Sequence, residues 1–328
     1  MLQLTDRWIW DFWVADTGTE YHLFFLQAPR SLGDPDLRHR NARIGHAVST
    51  DLSSWRLLPD ALVPGSDGAW DDGATWTGSI IEHDGLWYLL YTGISGAEGG
   101  YVQRIGLATS SDLVTWTKHP DNPLIVADPR WYEQLDLDAW HDQAWRDPWV
   151  FRDPTGDGFH ALITARAATG PADGRGVVGH ARSRDLVEWQ VLPPLTEPGE
   201  FGQLEVPQVA EVEGRPYLLF STAGQHVSSA RIARLGGPPQ TGTYACVGSS
   251  PLGPFDLARD AAPVADSRFY SGRLVAARDG RPRLLAFLDQ DRRGRFVGEI
   301  SDPMEVVVDR AGRLAVAERA PVKERHSV

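Results

Sequence analysis

A module that recurs five times limits what this chain can fold into more than any other feature. Each copy opens with a short apolar segment and a turn, then an aromatic-rich strand. The central strands read Tyr21-His-Leu-Phe-Phe-Leu-Gln27, Trp87-Tyr-Leu-Leu-Tyr-Thr-Gly93, Phe159-His-Ala-Leu-Ile-Thr-Ala165, Tyr217-Leu-Leu-Phe-Ser-Thr222 and Arg283-Leu-Leu-Ala-Phe-Leu-Asp289. Three copies add a Ser-x-Asp-Leu-x-x-Trp tail, ending at Trp55, Trp116 and Trp189, and a degenerate fourth runs from Gly248 to Phe255. Short strands repeating at this period specify a β-propeller, and five copies specify five blades. The expected fold is all-β, a single five-bladed propeller domain over 1–328, with blades at about 5–63, 72–126, 145–195, 204–257 and 268–319. The start of every innermost strand then faces one central pit, where residues distant in sequence meet.

Asp84-Gly85, Glu213-Gly214 and Asp279-Gly280 each join an apolar segment to an aromatic strand, and tight two-residue turns there demand positive φ. The insertion 30–43 and the Trp-, Asp- and His-rich segment 128–144 are long enough to shape a binding face, the latter as a loop or short helix. The polar tail 321–328 is expected to fray. The repeated Ser-x-Asp-Leu-x-x-Trp tails are read as structural, with Ser and Asp binding nearby backbone and Leu and Trp burying.

The net charge of −12 disfavours nucleic acid and anionic membranes as partners, and no apolar stretch is long enough to span a bilayer. Cys246 is the only cysteine, which excludes an internal disulfide and a cysteine metal cluster. The N-terminus shows no basic-then-apolar signal pattern, so the cytoplasm is the expected location.

The five innermost strands align as Asp11-Phe-Trp-Val14, Gly78-Ser-Ile-Ile81, Asp147-Pro-Trp-Val150, Val206-Pro-Gln-Val209 and Ser271-Gly-Arg-Leu274. Acids stand first in blades one and three, and Glu205 stands one residue earlier in blade four. Asp11, Asp147 and Glu205 should therefore converge on the pit, among Trp8, Trp10, Trp13, Trp76 and Trp149. Three buried carboxylates are costly without a purpose. Each alone has a bland alternative: Asp11 and Asp147 as turn or cap residues, Glu205 as a partner of Arg146. Their matching blade positions favour chemistry, and glycoside hydrolysis requires such carboxyl pairs.

At this point the chain resembles the five-bladed furanosidase clan of glycoside hydrolase families 32 and 68, the invertases, fructanases and levansucrases. Trp10-Asp11-Phe12-Trp13 resembles the family 68 nucleophile motif. Tyr21 to Gln27, and Gly45-His-Ala to Trp55, resemble family 32 segments. Trp76-Thr-Gly-Ser79 and Arg146-Asp147-Pro148 resemble motifs of both, and Glu205-Val206-Pro207 and Phe269-Tyr270 resemble family 32. The resemblance implies a retaining enzyme acting on β-fructofuranosides such as sucrose or short fructo-oligosaccharides, with a small carbohydrate as partner and no metal or cofactor. It implies Asp11 as nucleophile, Asp147 as transition-state stabiliser and Glu205 as general acid/base. Trp10, Trp13, Gln27, His46, Trp76, Ser79, Arg146 and Tyr270 are the implied sugar contacts. The family 32 nucleophile segment Asn-Asp-Pro-Asn-Gly is replaced by Trp-Asp-Phe-Trp, the Cys after the acid is Val206, and the C-terminal β-sandwich is absent from the expected fold. Two alternatives stand beside this reading: an inverting family-43-like arabinofuranosidase or xylosidase, and a non-catalytic sugar-binding propeller.

Overall fold

The computed structural model describes residues 1–317, so the tail 321–328 lies outside the described residues. Five antiparallel sheets occupy 7–62, 74–118, 145–192, 205–263 and 269–316, each running outward from its innermost strand. The result is a five-bladed propeller. In blade four the helix Leu257–Asp260 delays the outer strand to Ala262–Pro263, past the expected limit at 257. In blade five the second strand, Pro282–Gln290, pairs with both Phe296–Ile300 and Met304–Val308. Leu2 closes the ring on blade five, exchanging backbone bonds of 2.9 and 3.0 Å with Ile300. Blades cohere through buried apolar faces: Tyr21, Tyr91, Trp145 and Tyr217 are all essentially inaccessible. Burying one large apolar side chain contributes about 1.5–3 kcal/mol.

Asp84-Gly85 and Glu213-Gly214 have positive φ at both residues, as tight hairpins require. Blade five differs. Only Gly280 has positive φ, and Ala277 N–H binds the Arg281 carbonyl (2.9 Å) across a longer turn that closes without left-handed backbone at Asp279. The Ser-x-Asp-Leu-x-x-Trp tails are turns. Asp51 Oδ1 accepts from the N–H groups of Ser53 (2.8 Å) and Ser54 (2.7 Å), and Leu52 is buried with φ 63°. Asp112 and Asp185 repeat the pattern.

The feature that positions the site is a register shift near the start of every innermost strand, at Trp10/Phe12, Trp76/Gly78, Leu162/Thr164 (opposite Asp147), Glu205/Gln208 and Tyr270/Arg273. Such bulges bend a strand and re-aim its side chains. Asp11, Asp147, Val206 and Ser271 sit at them with φ of 21°, 56°, 53° and 49°. These conformations are strained for residues with a Cβ, Val206 above all, and persist only when the surroundings enforce them. Hydroxyls from the preceding blade's second strand do so. Thr92 Oγ1 accepts from Asp147 N–H (3.0 Å), Thr164 Oγ1 from Val206 N–H (3.1 Å), and Ser221 Oγ from Ser271 N–H (2.9 Å).

Candidate active site

The bulges sort the axial residues into rings. The residues just before the bulge are Trp10, Trp76, Arg146, Glu205 and Tyr270, and all five line one hollow of about 990 Å³. The bulge residues are Asp11, Thr77, Asp147, Val206 and Ser271. The first four line the same hollow, and Ser271 reaches it through Asp11. Two positions further, Trp13, Ser79, Trp149, Gln208 and Arg273 form a floor. Blade two therefore presents Thr77 at the position expected for Gly78. The hollow is at the upper end for small-molecule sites, about 300–1,000 Å³.

Asp11 is clamped at both oxygens: Ser271 Oγ donates to Oδ1 (2.5 Å) and Thr77 Oγ1 to Oδ2 (2.8 Å). Burial pushes its pKa up and Glu205 adds to the rise, while the two hydroxyls and Arg273 oppose it. Asp147 Oδ2 accepts from Thr164 Oγ1 (2.8 Å) and Val206 N–H (3.2 Å), with Arg146 Nε at 3.5 Å. Its Oδ1 has no protein hydrogen-bond partner among the described residues. Burial raises Asp147 to about 6 against the pull of Arg146, helped by Asp11 and Glu205. Glu205 goes the other way. Burial would raise it, but Arg146 (Nη2 to Oε1, 2.7 Å) and the Tyr270 hydroxyl on Oε2 hold it below its usual value. Arg146 thus joins Asp142, Asp147 and Glu205 into one ion network. The expected Arg146–Glu205 pair exists, and it lies inside the hollow.

Four expected sugar contacts lie elsewhere. Trp13 is in the floor ring and stacks on Phe24, its ring centroid 6.1 Å away. Ser79 is in the same ring and is spent on Val150 N–H (2.8 Å). Gln27 lies one strand outward, bridging Arg7 (2.9 Å) and Asp60 (2.6 Å). His46 lies two strands outward, bonded to His22 (2.9 Å) and stacked on Phe24 at 4.3 Å; blade three repeats this with His160 and His180 (2.8 Å). Strand pleating explains the split, since membership of one motif does not place two side chains on one face.

Other lining residues come from places the motifs did not mark. The insertion 30–43 folds over the hollow as a 3₁₀ helix, Pro35–Asn41, carrying Arg38 and His39. Arg38 lies over Phe296 (4.0 Å) and Trp10 (5.6 Å). Trp76 Nε1 donates to the His39 carbonyl (2.7 Å), and burial beside Arg38 and Arg146 lowers the His39 ring to about 3, leaving it neutral. The segment 128–144 contributes His141 and Asp142 through turns rather than a helix. Asp289, next to last in the second strand of blade five, lines the hollow, raised by burial against the pull of Arg38.

Comparison with known proteins places the chain in a class. The model for the glycosyl hydrolases family 32 N-terminal domain matches residues 13–289. The chain belongs to glycosyl hydrolase family 32. Asp11 lies two residues before the matched segment, so its place in the site rests on geometry. Among individual relatives, the chain is 27% identical to raffinose invertase of Escherichia coli over 94% of its own length and 60% of that protein's. It is 34% identical to a sucrose:sucrose 1-fructosyltransferase of Festuca arundinacea over 54% of its length and 25% of that protein's. The chain spans no more than about three-fifths of these curated relatives. Its fold superposes on inulosucrase from Halalkalicoccus jeotgali bound to kestose with a TM-score of 0.76, at 22% identity, covering 98% of this chain and 94% of that one.

Proposed function

We propose that this chain is a retaining glycoside hydrolase or transglycosylase acting on β-fructofuranosides such as sucrose or short fructo-oligosaccharides. The observation that carries this is the convergence of Asp11, Asp147 and Glu205 on one aromatic-walled hollow. Asp11 is the nucleophile. Its oxygens are oriented by Ser271 and Thr77, and its attack on the anomeric carbon forms a covalent fructosyl-enzyme. Glu205 protonates the departing oxygen, then deprotonates the water or sugar hydroxyl that releases the fructosyl group. Asp147, with Oδ1 uncommitted, accepts sugar hydroxyls as positive charge develops on the ring. Trp10 and Trp76 wall the ring, and Tyr270 and Arg146 position Glu205. Family 32 membership favours this retaining reading over the inverting alternative.

Incubation with sucrose, raffinose, inulin and levan oligosaccharides should release fructose or fructosylated products, with retained configuration by anomeric NMR. Inverted product, or no turnover of any fructoside, would refute the proposal.

The first step needs Asp11 ionised and Glu205 protonated, yet in the free site Glu205 is the stronger acid. A single proton shared by the cluster therefore rests mainly on the aspartates. Activity should fall as rising pH strips this proton from the cluster, because Glu205 then has none to draw on. Tyr270→Phe removes a donor to ionised Glu205, which raises that carboxyl. The alkaline limb of kcat/KM should then move to higher pH, alongside a loss of kcat. An unmoved limb would show that the Tyr270 hydroxyl does not set the proton's position.

A further inference from the structure

Below the acids, a second cavity of about 180 Å³ lies against the floor ring at Trp13, Trp149, Gln208 and Arg273, with Val14, Asp16 and the segment 274–276 completing its wall. The buried side-chain polar atoms left unpaired around it are all donors. The indole Nε1 groups of Trp13 and Trp149, and Nε and Nη2 of Arg273, are buried and donate to no acceptor among the described residues. Arg273 is only 1% exposed, its guanidinium lies over the Trp149 ring at 4.8 Å, and Nη1 is used on the Pro207 carbonyl (2.7 Å). Gln208 turns its amide to Leu274, accepting from its N–H (2.8 Å) and donating to its carbonyl (2.9 Å). The Asp16 carboxylate is taken by Arg278 (2.7 Å) and Gly18 N–H (2.8 Å).

The lining thus offers N–H donors on three side chains, one of them a buried cation. Buried polar groups are normally satisfied, and a buried charge is normally paired. A water molecule there would need acceptors for its own protons as well as donors. A halide only accepts, and it neutralises the guanidinium.

We propose that this axial cavity is a binding site for a small monovalent anion of the halide class, held by Arg273 and the indole N–H groups of Trp13 and Trp149. The site is separate from the hollow holding the three acids and does not depend on the reaction assigned there. It bears on that hollow through charge. Arg273 favours the ionised form of Asp11, so an anion beside it would weaken that influence.

Bromide is the probe. Diffraction at the bromine edge from crystals soaked in sodium bromide should show an anomalous peak in the cavity within hydrogen-bonding reach of Arg273. In solution, bromide should raise the Tm of the parent protein more than sodium gluconate does at equal ionic strength, because a ligand of the folded state stabilises it. Trp149→Phe keeps the ring and removes one N–H, and should shrink both the peak and the Tm difference. Arg273→Gln should abolish both. Ordered water without anomalous signal at high bromide would overturn the proposal, as would an equal bromide effect on the Tm of parent and Trp149→Phe. A crystal peak with no Tm difference would mean binding at crystal concentration only, and would overturn it too.

Discussion

Asp11→Asn is expected to lower turnover of sucrose by about 10⁴-fold or more while raising the Tm near neutral pH. The first effect follows from the role: an amide cannot form the glycosyl ester, and Asp11 is the carboxylate that Ser271 and Thr77 hold in place. The second follows from burial. Asp11 is raised chiefly because its charge is taken out of water, and its hydroxyl donors and Arg273 only partly offset that cost. A carboxyl whose folded pKa lies above its unfolded value gives its full stability below the unfolded pKa, and loses it as pH rises through the folded one. The amide carries no such cost, and the two hydroxyls can rotate to meet it. Its advantage should therefore be greatest near neutral pH and fade in acid. Melting and activity curves across that range test both halves. Retained turnover would remove Asp11 as nucleophile, and a lower Tm near neutral pH would show that its hydrogen bonds outweigh the burial cost.

The five blades were legible because period, turn chemistry and aromatic strands all point to one architecture. The acids were legible for a narrower reason. In blades one and three an acid occupies the bulge itself, and in blade four it stands one residue before, so a simple alignment of innermost strands brings all three to the axis. That alignment slipped by one in blade two, where Thr77 rather than Gly78 holds the equivalent place, because a bulge leaves no mark in apolar alternation. Thr77 and Arg273 escape the sequence for the same reason, since each acts through a ring whose register only the bulges define, whereas Asp289 reaches the hollow from a second strand. Trp13, Ser79, Gln27 and His46 were drawn in by neighbours in their motifs, and the structure uses them to pack or brace the blades. The hydroxyls of Thr92, Thr164 and Ser221 were visible in the strand sequences, but their grip on the next blade's strained residue needs the ring to be closed.

Arg146→Met should be the most destabilising single change in the hollow, weakening the fold by about 3–5 kcal/mol and lowering turnover by about 10³-fold. Arg146 is 7% exposed and serves Asp142, Asp147 and Glu205 together, with Gln103 as a further acceptor (3.0 Å). Removing it leaves Asp142, Asp147 and Glu205 without the cation that pairs them. Glu205 is held low in the folded state largely by Arg146, so that contribution is present above the unfolded pKa and lost as pH falls through the folded one. The deficit of the Met variant should accordingly be largest near neutral pH and shrink in acid, as the stranded carboxyls take up protons. Arg146→Lys separates charge from geometry. An ammonium restores a cation but cannot reach all of these acceptors at once as the planar guanidinium does, so it should recover more of the stability than of the turnover. Urea melts and kcat for both variants decide the matter: a Met variant as stable as the parent would mean that the acids do not depend on Arg146, and a Lys variant with full turnover would mean that charge alone positions Glu205.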